Sequence, residues 1–458
     1  MLPPSLHFPS LHFMRQLLKL FLLFFFIFSF LLFAFYLSGI SWEVAAFLLV
    51  NAALGAGVLN YPAAYDRIGG VMVATLLQVS LMAILAVTMF ILIYCADVNG
   101  DESYHDVLLT MCGKRCQQLS AISILLTCYG ICVTFLIIIG DQYDRIFVSH
   151  MSECVWYVDR RFTITVTSAA LIWPMCYFQR LDFLKYAGTL GVFSMLYVVF
   201  LNVYQYFVLE LDPLKTTPSS GADSTFSLIA VIPVICFAYQ CHEIVVPVYA
   251  CMDEKDRNMK SFGKTTALTL FILFVLYCTA GTFGYMTFGS SVSPDIMQGY
   301  DAKDPLVVIG IIALVVKMIT TYPPMIVCGR GALDGLYAEY FQLPTHEFIA
   351  GEFKRRVVIT TVWFVSSLLI AIFTPNIGVV IELLGSLASV NVFIFPSLCL
   401  MAIARRQKQS LNKCLWYLFN GFSITLILLG VVMFGIVMMQ VVQDIKGSGQ
   451  LPHEVLCK

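Results

Sequence analysis

Two apolar stretches of the 458-residue chain carry residues that interrupt a helix. The first, VNAALGAGVLNYPAAY at residues 50–65, holds Gly55 and Gly57, which weaken a helix, and Pro62, which removes a backbone donor. Unwound backbone at membrane depth is tolerated only where it lines a protein cavity or site. Freed N–H groups suit an anion such as a carboxylate, and freed carbonyl oxygens suit a small cation. The pattern therefore predicts noncovalent binding.

The second stretch, VIPVICFAYQCHEIVVPVYA at residues 231–250, has Pro233 and Pro247 on either side of a polar cluster. The cluster runs from Tyr239 to Glu243. Gly and Pro in a single membrane helix often mean only a packing kink, so each stretch has that alternative explanation. Breaks in the first and sixth spans, the first members of two halves, are typical of the discontinuous helices of secondary transporters.

The elements that must position these breaks are membrane helices. The chain is 59% hydrophobic and only 12% charged, with a mean hydropathy of +0.85, whereas a soluble domain presents a polar surface. The expected surroundings are therefore a lipid bilayer. A net charge of −1 gives no general attraction to nucleic acid. The fifteen cysteines lie mostly in apolar runs, and neither a disulfide framework nor a metal site follows from them.

Windows of about twenty apolar residues predict eleven transmembrane helices. The fold class predicted is all-α, a polytopic membrane protein with a 5+5 inverted repeat. The predicted spans are approximately 43–65, 70–96, 117–140, 162–178, 186–209, 225–251, 265–288, 305–329, 357–374, 377–402 and 415–441.

The predicted domains are a hydrophobic N-terminus over residues 1–42, a transmembrane domain over residues 43–441 and a short tail over residues 442–458. Placing the residue 42 end in the cytoplasm puts sixteen Lys and Arg in cytoplasmic loops and eight on the opposite side. The apolar run at residues 17–39 is either an extra helix or an atypical N-terminus, because an extra span would put its basic flank outside.

The interrupted stretches also resemble a known family, the sodium-coupled neutral amino acid transporters of solute carrier family 38. NAALGAGVLNYP at residues 51–62 is similar to the family's NxxxGxGxLxxP pattern, and FAYQCHEIVVPVY at residues 237–249 to its FxFQCHxxxxPVY pattern. The resemblance covers residues 43 to about 441, and the motifs look most similar to those of members seven and eight of the family. Further agreement lies in FLIIIGDQ at residues 135–142, WYVDRRFT at 156–163, FGYMTFG at 283–289, and TYP at 321–323 with GR at 329–330.

The resemblance implies roles for individual residues. Asn51 and Thr321 match positions credited with the sodium site, and both supply neutral oxygen atoms that suit a hard cation. Each has a structural alternative, since Asn51 could bridge two helices and Thr321 could bond its own helix. The residues implied for substrate binding are three in the first span and three in the sixth: Gly55, Ala56, Gly57, Phe237, Tyr239 and Gln240.

Three of the ionisable residues within the predicted spans need a separate explanation. His242 has an ordinary pKa near 6.5 and is either a pH sensor that couples transport to protons or a hydrogen-bonded structural residue. Lys317 and Glu382 carry charges that are energetically unfavourable inside a bilayer. We predict that they form an intramembrane charge pair. The alternative is that the Lys317 charge substitutes for sodium, because Lys317 precedes Thr321 by about one helical turn.

The function predicted is secondary active transport of neutral amino acids, glutamine- or asparagine-like, by alternating access. Na+ is the implied coupling ion and H+ a possible second one, with no other cofactor. The alternatives are a sodium-independent or proton-coupled carrier, and an amino acid sensor that keeps the fold. A membrane enzyme is disfavoured because no HExxH, GxSxG or paired-carboxylate signature is present. The implied location is the lysosomal or plasma membrane.

Overall fold

A computed structural model describes residues 40–150, 159–177, 184–209, 225–342, 345–374, 377–409 and 412–448. Helices make up almost all of this part of the chain, and the only β-pairing within it is an isolated bridge between Ile40 and Met252. The predictions for residues 17–39 and for the end of the C-terminal tail, residues 449–458, lie outside the described residues.

The helices follow the predicted spans closely, with the first and sixth spans each divided in two. The first half of the chain comprises α1 (Trp42–Ala53), α2 (Gly57–Arg67), α3 (Val71–Asn99), α4 (Tyr104–Cys112), α5 (Lys114–His150), α6 (Arg160–Thr167), a π-helix (Ser168–Ile172), α7 (Trp173–Cys176) and α8 (Leu184–Val208). The second half comprises α9 (Thr225–Ala238), α10 (His242–Ala250), α11 (Met259–Phe288), α12 (Pro305–Phe341), α13 (Thr345–Ala350), α14 (Glu352–Phe373), α15 (Ile377–Ser389), a second π-helix (Val390–Ile394), α16 (Phe395–Arg406) and α17 (Lys413–Ser448).

Among the described residues, nine helices are long and apolar enough to cross a membrane, and the bent pair α1 and α2 makes a tenth candidate span. The predicted fourth span is the short succession of α6, the first π-helix and α7, with 8, 5 and 4 residues respectively. Length and composition therefore establish a polytopic helical membrane protein without fixing the count at eleven.

Both predicted breaks are confirmed. The first break, residues 54–56, separates α1 from α2 and bends the span by 67°. The second break, residues 239–241, separates α9 from α10. Pro62 lies within α2 and not at the break, whereas Gly55 lies in the break itself.

The second half of the first span, α2, is tightly packed. Every residue from Gly57 to Tyr65 is buried, and α2 packs along α11. Gly284 of α11 allows this approach, because a Cβ there would lie 2.5 Å from Cγ of Pro62. The rings of Tyr61 and Tyr277 lie 4.7 Å apart between their centroids, and such a pair stabilises the packing by about 0.5–1.5 kcal/mol.

Candidate substrate site between two broken helices

A cavity lies between the two breaks, and we call it the central cavity. It contains about 830 Å³ of space not filled by atoms, a figure that includes the open solvent at its mouth. Of the predicted substrate residues, Gly55, Ala56, Gly57, Phe237 and Gln240 line it, as does Thr321. The other lining residues are Ala52, Ala53, Leu54, Ile124, Thr127, Cys128, Ile131, Thr134, Phe135, Cys241, Glu243, Ile244, Met325 and Cys328.

The first break presents backbone groups to the central cavity. The first backbone hydrogen bonds at the start of α2 are donated by Val58, to Gly55, and by Leu59, to Ala56. The N–H groups of Ala56 and Gly57 precede these donors and make no backbone hydrogen bond within the described residues. A Cβ on Gly55 would meet no atom within 4 Å. Free N–H groups at the positive end of a helix, next to open space, are suited to a carboxylate.

The second break presents side chains instead. Nε2 of Gln240 donates a hydrogen bond to Oε1 of Glu243, which also accepts one from Nδ2 of Asn391 at 2.8 Å. Oε1 of Gln240 is buried and has no hydrogen-bond partner among the described residues, and the same holds for Oγ1 of Thr127 on α5. Both residues line the central cavity, so each offers a polar atom to a bound molecule.

Tyr277 of α11 joins the two breaks, and the sequence reasoning did not identify it. Its hydroxyl lies 2.8 Å from the carbonyl oxygens of both Ala53 and Ala238, which end α1 and α9. The start of α2 also packs closely against the end of α9, because a Cβ on Gly57 would lie 3.0 Å from Cβ of Ala238. Tyr277 therefore compensates for helix hydrogen bonds that the breaks remove.

The prediction for Tyr239 requires a correction. This residue is only 1% exposed and is not among the residues that line the central cavity. Its hydroxyl accepts a hydrogen bond from Nε2 of Gln78 on α3, and Oε1 of Gln78 accepts one from Tyr65 at 3.1 Å. A buried tyrosine hydroxyl needs a partner, and here Gln78 of α3, which does not line the cavity, supplies it.

His242 begins α10 and is fully buried. Its Nε2 atom lies 3.0 Å from Oγ1 of Thr88 on α3, and the residue does not line the central cavity. The contact favours the structural alternative, in which the imidazole connects two helices. The pH-sensing role stays a prediction.

The residues predicted for sodium, Asn51 and Thr321, have protein partners. Oγ1 of Thr321 donates to the carbonyl oxygen of Lys317, one turn earlier in its own helix, at 2.7 Å. Nζ of Lys317 lies 3.3 Å from Oδ1 and 3.4 Å from the backbone oxygen of Asn51. Asn51 thus connects α1 to α12, and it does so through a lysine side chain.

The predicted charge pair between Lys317 and Glu382 is wrong. Oε1 of Glu382 accepts from Nη1 of Arg67 at 2.7 Å, while the Lys317 ammonium contacts Asn51. The reason is that the partners of Lys317 and Glu382 lie at different depths along the first span. Asn51 precedes α2 and Arg67 ends it, and the 11 residues of that helix span about 16 Å. Lys317 therefore finds its partner beside the first break, whereas Glu382 finds its partner at the far end of α2.

A polytopic helical protein whose first and sixth spans are broken around a central cavity has the architecture of a secondary transporter. Residues 38–442 match the family model described as transmembrane amino acid transporter protein. The chain is 34% identical over 397 residues to sodium-coupled neutral amino acid transporter 7 of Rattus norvegicus, which covers 85% of each chain. It is 34% identical over 407 residues to transporter 7 of Danio rerio, covering 87% of this chain and 86% of that protein.

A third relative is solute carrier family 38 member 8 of Homo sapiens, 30% identical over 366 residues, which cover 78% of this chain and 84% of that protein. The chain belongs to the transmembrane amino acid transporter family and, within it, to solute carrier family 38. It is accordingly a multi-pass membrane transporter and not an enzyme.

Proposed function

We propose that the protein carries neutral amino acids across a membrane by alternating access, with the substrate bound between the two breaks. The observation that carries this proposal is the central cavity, to which both breaks contribute. The free N–H groups of Ala56 and Gly57 would hold the α-carboxylate at the start of α2. Oε1 of Gln240 would accept a hydrogen bond from the α-ammonium.

The lining favours a neutral amino acid with a polar side chain, such as glutamine or asparagine. Glu243 is the one Asp, Glu, Lys, Arg or His residue among the described residues that line the cavity, and its Oε1 atom already accepts two amide donors. Much of the remaining wall is apolar, and Oγ1 of Thr127 offers a hydrogen bond within it. A side-chain amide would use this hydroxyl, whereas a purely apolar side chain would leave it without a partner.

Counterflow in proteoliposomes tests this function without assuming a coupling ion. Vesicles loaded with unlabelled glutamine would accumulate external radiolabelled glutamine, and asparagine would compete. We expect Gln240→Leu and Thr127→Val to weaken apparent affinity by about tenfold, equivalent to about 1.4 kcal/mol. Thr425→Val is the matched control, because Thr425 is exposed on α17 and bonds only its own helix among the described contacts.

Absence of counterflow for every neutral amino acid tried, in vesicles that contain folded protein, would contradict the proposal. Saturable binding of glutamine without counterflow would instead favour the sensor. Location is tested by immunofluorescence beside lysosomal and plasma-membrane markers, since the resemblance implies one of these two membranes. The coupling ion is a separate matter, because the oxygen atoms of Asn51, predicted for sodium, have a protein partner.

A further inference from the structure

Lys317 is a charged residue in the interior of a membrane protein. It is 1% exposed and lies within α12 between Leu314, Val315 and Met318, which are also buried. An ammonium at such depth is costly unless it is surrounded by acceptors. The ion pairs of the described residues include none with Lys317, so its positive charge is not cancelled by a carboxylate that the structure describes.

Two neutral oxygen atoms of one residue contact the ammonium instead. Nζ contacts both the side-chain and the backbone oxygen of Asn51, in the last turn of α1 before the first break. An amide oxygen and a carbonyl oxygen are the ligand types that a small hard cation takes. The lysine therefore places a covalently attached cation where these oxygens would otherwise be available to a free one.

The neighbouring helix α8 makes room for this side chain. A Cβ on Gly191 would lie 2.6 Å from Cδ of Lys317 and 3.3 Å from its Nζ atom. The first of these distances is too short for any real contact, so an alanine would force the lysine to move. Two separate residues therefore accommodate the lysine: Asn51 accepts its hydrogen bonds, and Gly191, which has no side chain, leaves room for it.

We infer that the Lys317 ammonium occupies the cation position beside the first break and makes the carrier independent of sodium. A second cation at the Asn51 oxygens would be repelled by the attached charge and would lose ligands that the ammonium already uses. The inference rests on the proposed function for its transport measurement, and a sodium-binding measurement tests it independently.

The experiment compares the wild type with Lys317→Ala and Lys317→Met, the second of which keeps the length and apolar contacts of the side chain. Glutamine uptake is measured with external sodium and with choline in its place. We expect a ratio of about one for the wild type and at least about fivefold stimulation by sodium in the variants, a typical coupling between two sites. Lys303→Ala is the matched control, since Lys303 is exposed in the connection between α11 and α12.

The second measurement is thermal stability of the purified protein in sodium or choline. A ligand that binds the folded state raises the melting temperature, so sodium should stabilise Lys317→Met and leave the wild type unchanged. Gly191→Ala should disturb the ammonium, and its effect on uptake should disappear when Lys317 is also alanine. Equal effects of Gly191→Ala in both backgrounds would count against the fit between the two residues.

Sodium-stimulated uptake or sodium stabilisation of the wild type would overturn the inference while leaving the carrier function intact. Variants that fold but stay indifferent to sodium in both measurements would also overturn it. If no neutral amino acid is transported at all, the carrier proposal fails, and the thermal measurement still decides whether Lys317 excludes sodium.

Discussion

The two breaks present different kinds of chemical group to the central cavity. The first break uses backbone: Gly55 leaves open space, and the N–H groups of Ala56 and Gly57 have no backbone partner in the part of the chain that the structure describes. The second break uses side chains, with Gln240 and Glu243 held by hydrogen bonds. Substitution at the first break should therefore act through shape, whereas substitution at the second should act through lost hydrogen bonds.

The largest effect should come from Gly55→Val. Because a Cβ there points into open space, the valine should fill the substrate position while the protein stays folded, and uptake should fall to the level of empty liposomes. Gly57→Val should instead press on Ala238 and destabilise the protein by about 1–3 kcal/mol. Gly435→Val, in open space on α17, is the control. Normal uptake by Gly55→Val would remove the first break from the substrate site.

Tyr277→Phe tests whether the two breaks are held together. The substitution leaves the carbonyl oxygens of Ala53 and Ala238 without this donor, and the loss should destabilise the protein by about 1–3 kcal/mol. Melting of detergent-solubilised protein measures it. Tyr340→Phe is the control, since Tyr340 is 81% exposed. Equal melting temperatures for the two variants would show that the breaks do not depend on this hydroxyl.

His242→Ala separates the structural role of the second break from a pH-sensing one. Loss of the contact with Thr88 should cost about 1–2 kcal/mol of stability. The shape of the uptake curve between about pH 5.5 and pH 8 should stay unchanged. His346→Ala, at a largely exposed position, is the comparison. A curve flattened only in His242→Ala would restore the pH-sensing role.

The smallest effect expected is on the pH dependence of stability. It concerns the connection between α11 and α12, which packs against α2 but not, among the described contacts, against α10. The 3₁₀-helix Ile296–Gly299 packs against α2, and Asp295 precedes it. Burial, the largest cause, and the nearby Asp141 charge raise the pKa of Asp295 to about 7, although Arg145 opposes them. The folded state then binds a proton that the unfolded chain has already lost, so stability should fall as the pH rises from about 4 to 7.

Asp295→Asn should weaken this dependence and leave the variant about 1 kcal/mol more stable than wild type above pH 7. Melting temperatures measured at pH 5 and about pH 7.5 are sufficient. The exposed Asp301 lies in the same connection, and Asp301→Asn should behave like the wild type. A pH dependence that Asp295→Asn does not alter would locate its cause elsewhere.

The sequence was sufficient to locate the breaks, because Gly55 and the polar cluster from Tyr239 to Glu243 interrupt apolar runs locally. The prolines identified the right spans but lie inside helices. The sequence was insufficient wherever the partner came from another helix. Hydropathy gives the span of Lys317 and Glu382 but not the depth at which each side chain meets a partner from another helix, and the predicted pair failed for that reason. Tyr277 left only a weak signal, a polar hydroxyl in an apolar span that must find an acceptor.

Tyr239 shows the same limit within a single motif. It is next to Gln240 in sequence, yet the two point to different neighbours, because the break turns the chain between α9 and α10. A motif identifies the segment that forms a wall of the cavity. Which of its side chains faces the cavity depends on α3 and α11, which lie far away in the sequence.

Cys328 gives the central cavity a natural site for chemical labelling. It lines the cavity and is exposed, whereas Cys241 in the second break is buried. A membrane-impermeant maleimide can alkylate Cys328 only from the face on which the cavity opens and only while it is open. Once Cys251 and Cys414, which are exposed, and Cys154 and Cys457, which lie outside the described residues, are replaced by serine, the alkylation rate reports how readily the cavity opens, with no cysteine added to the chain.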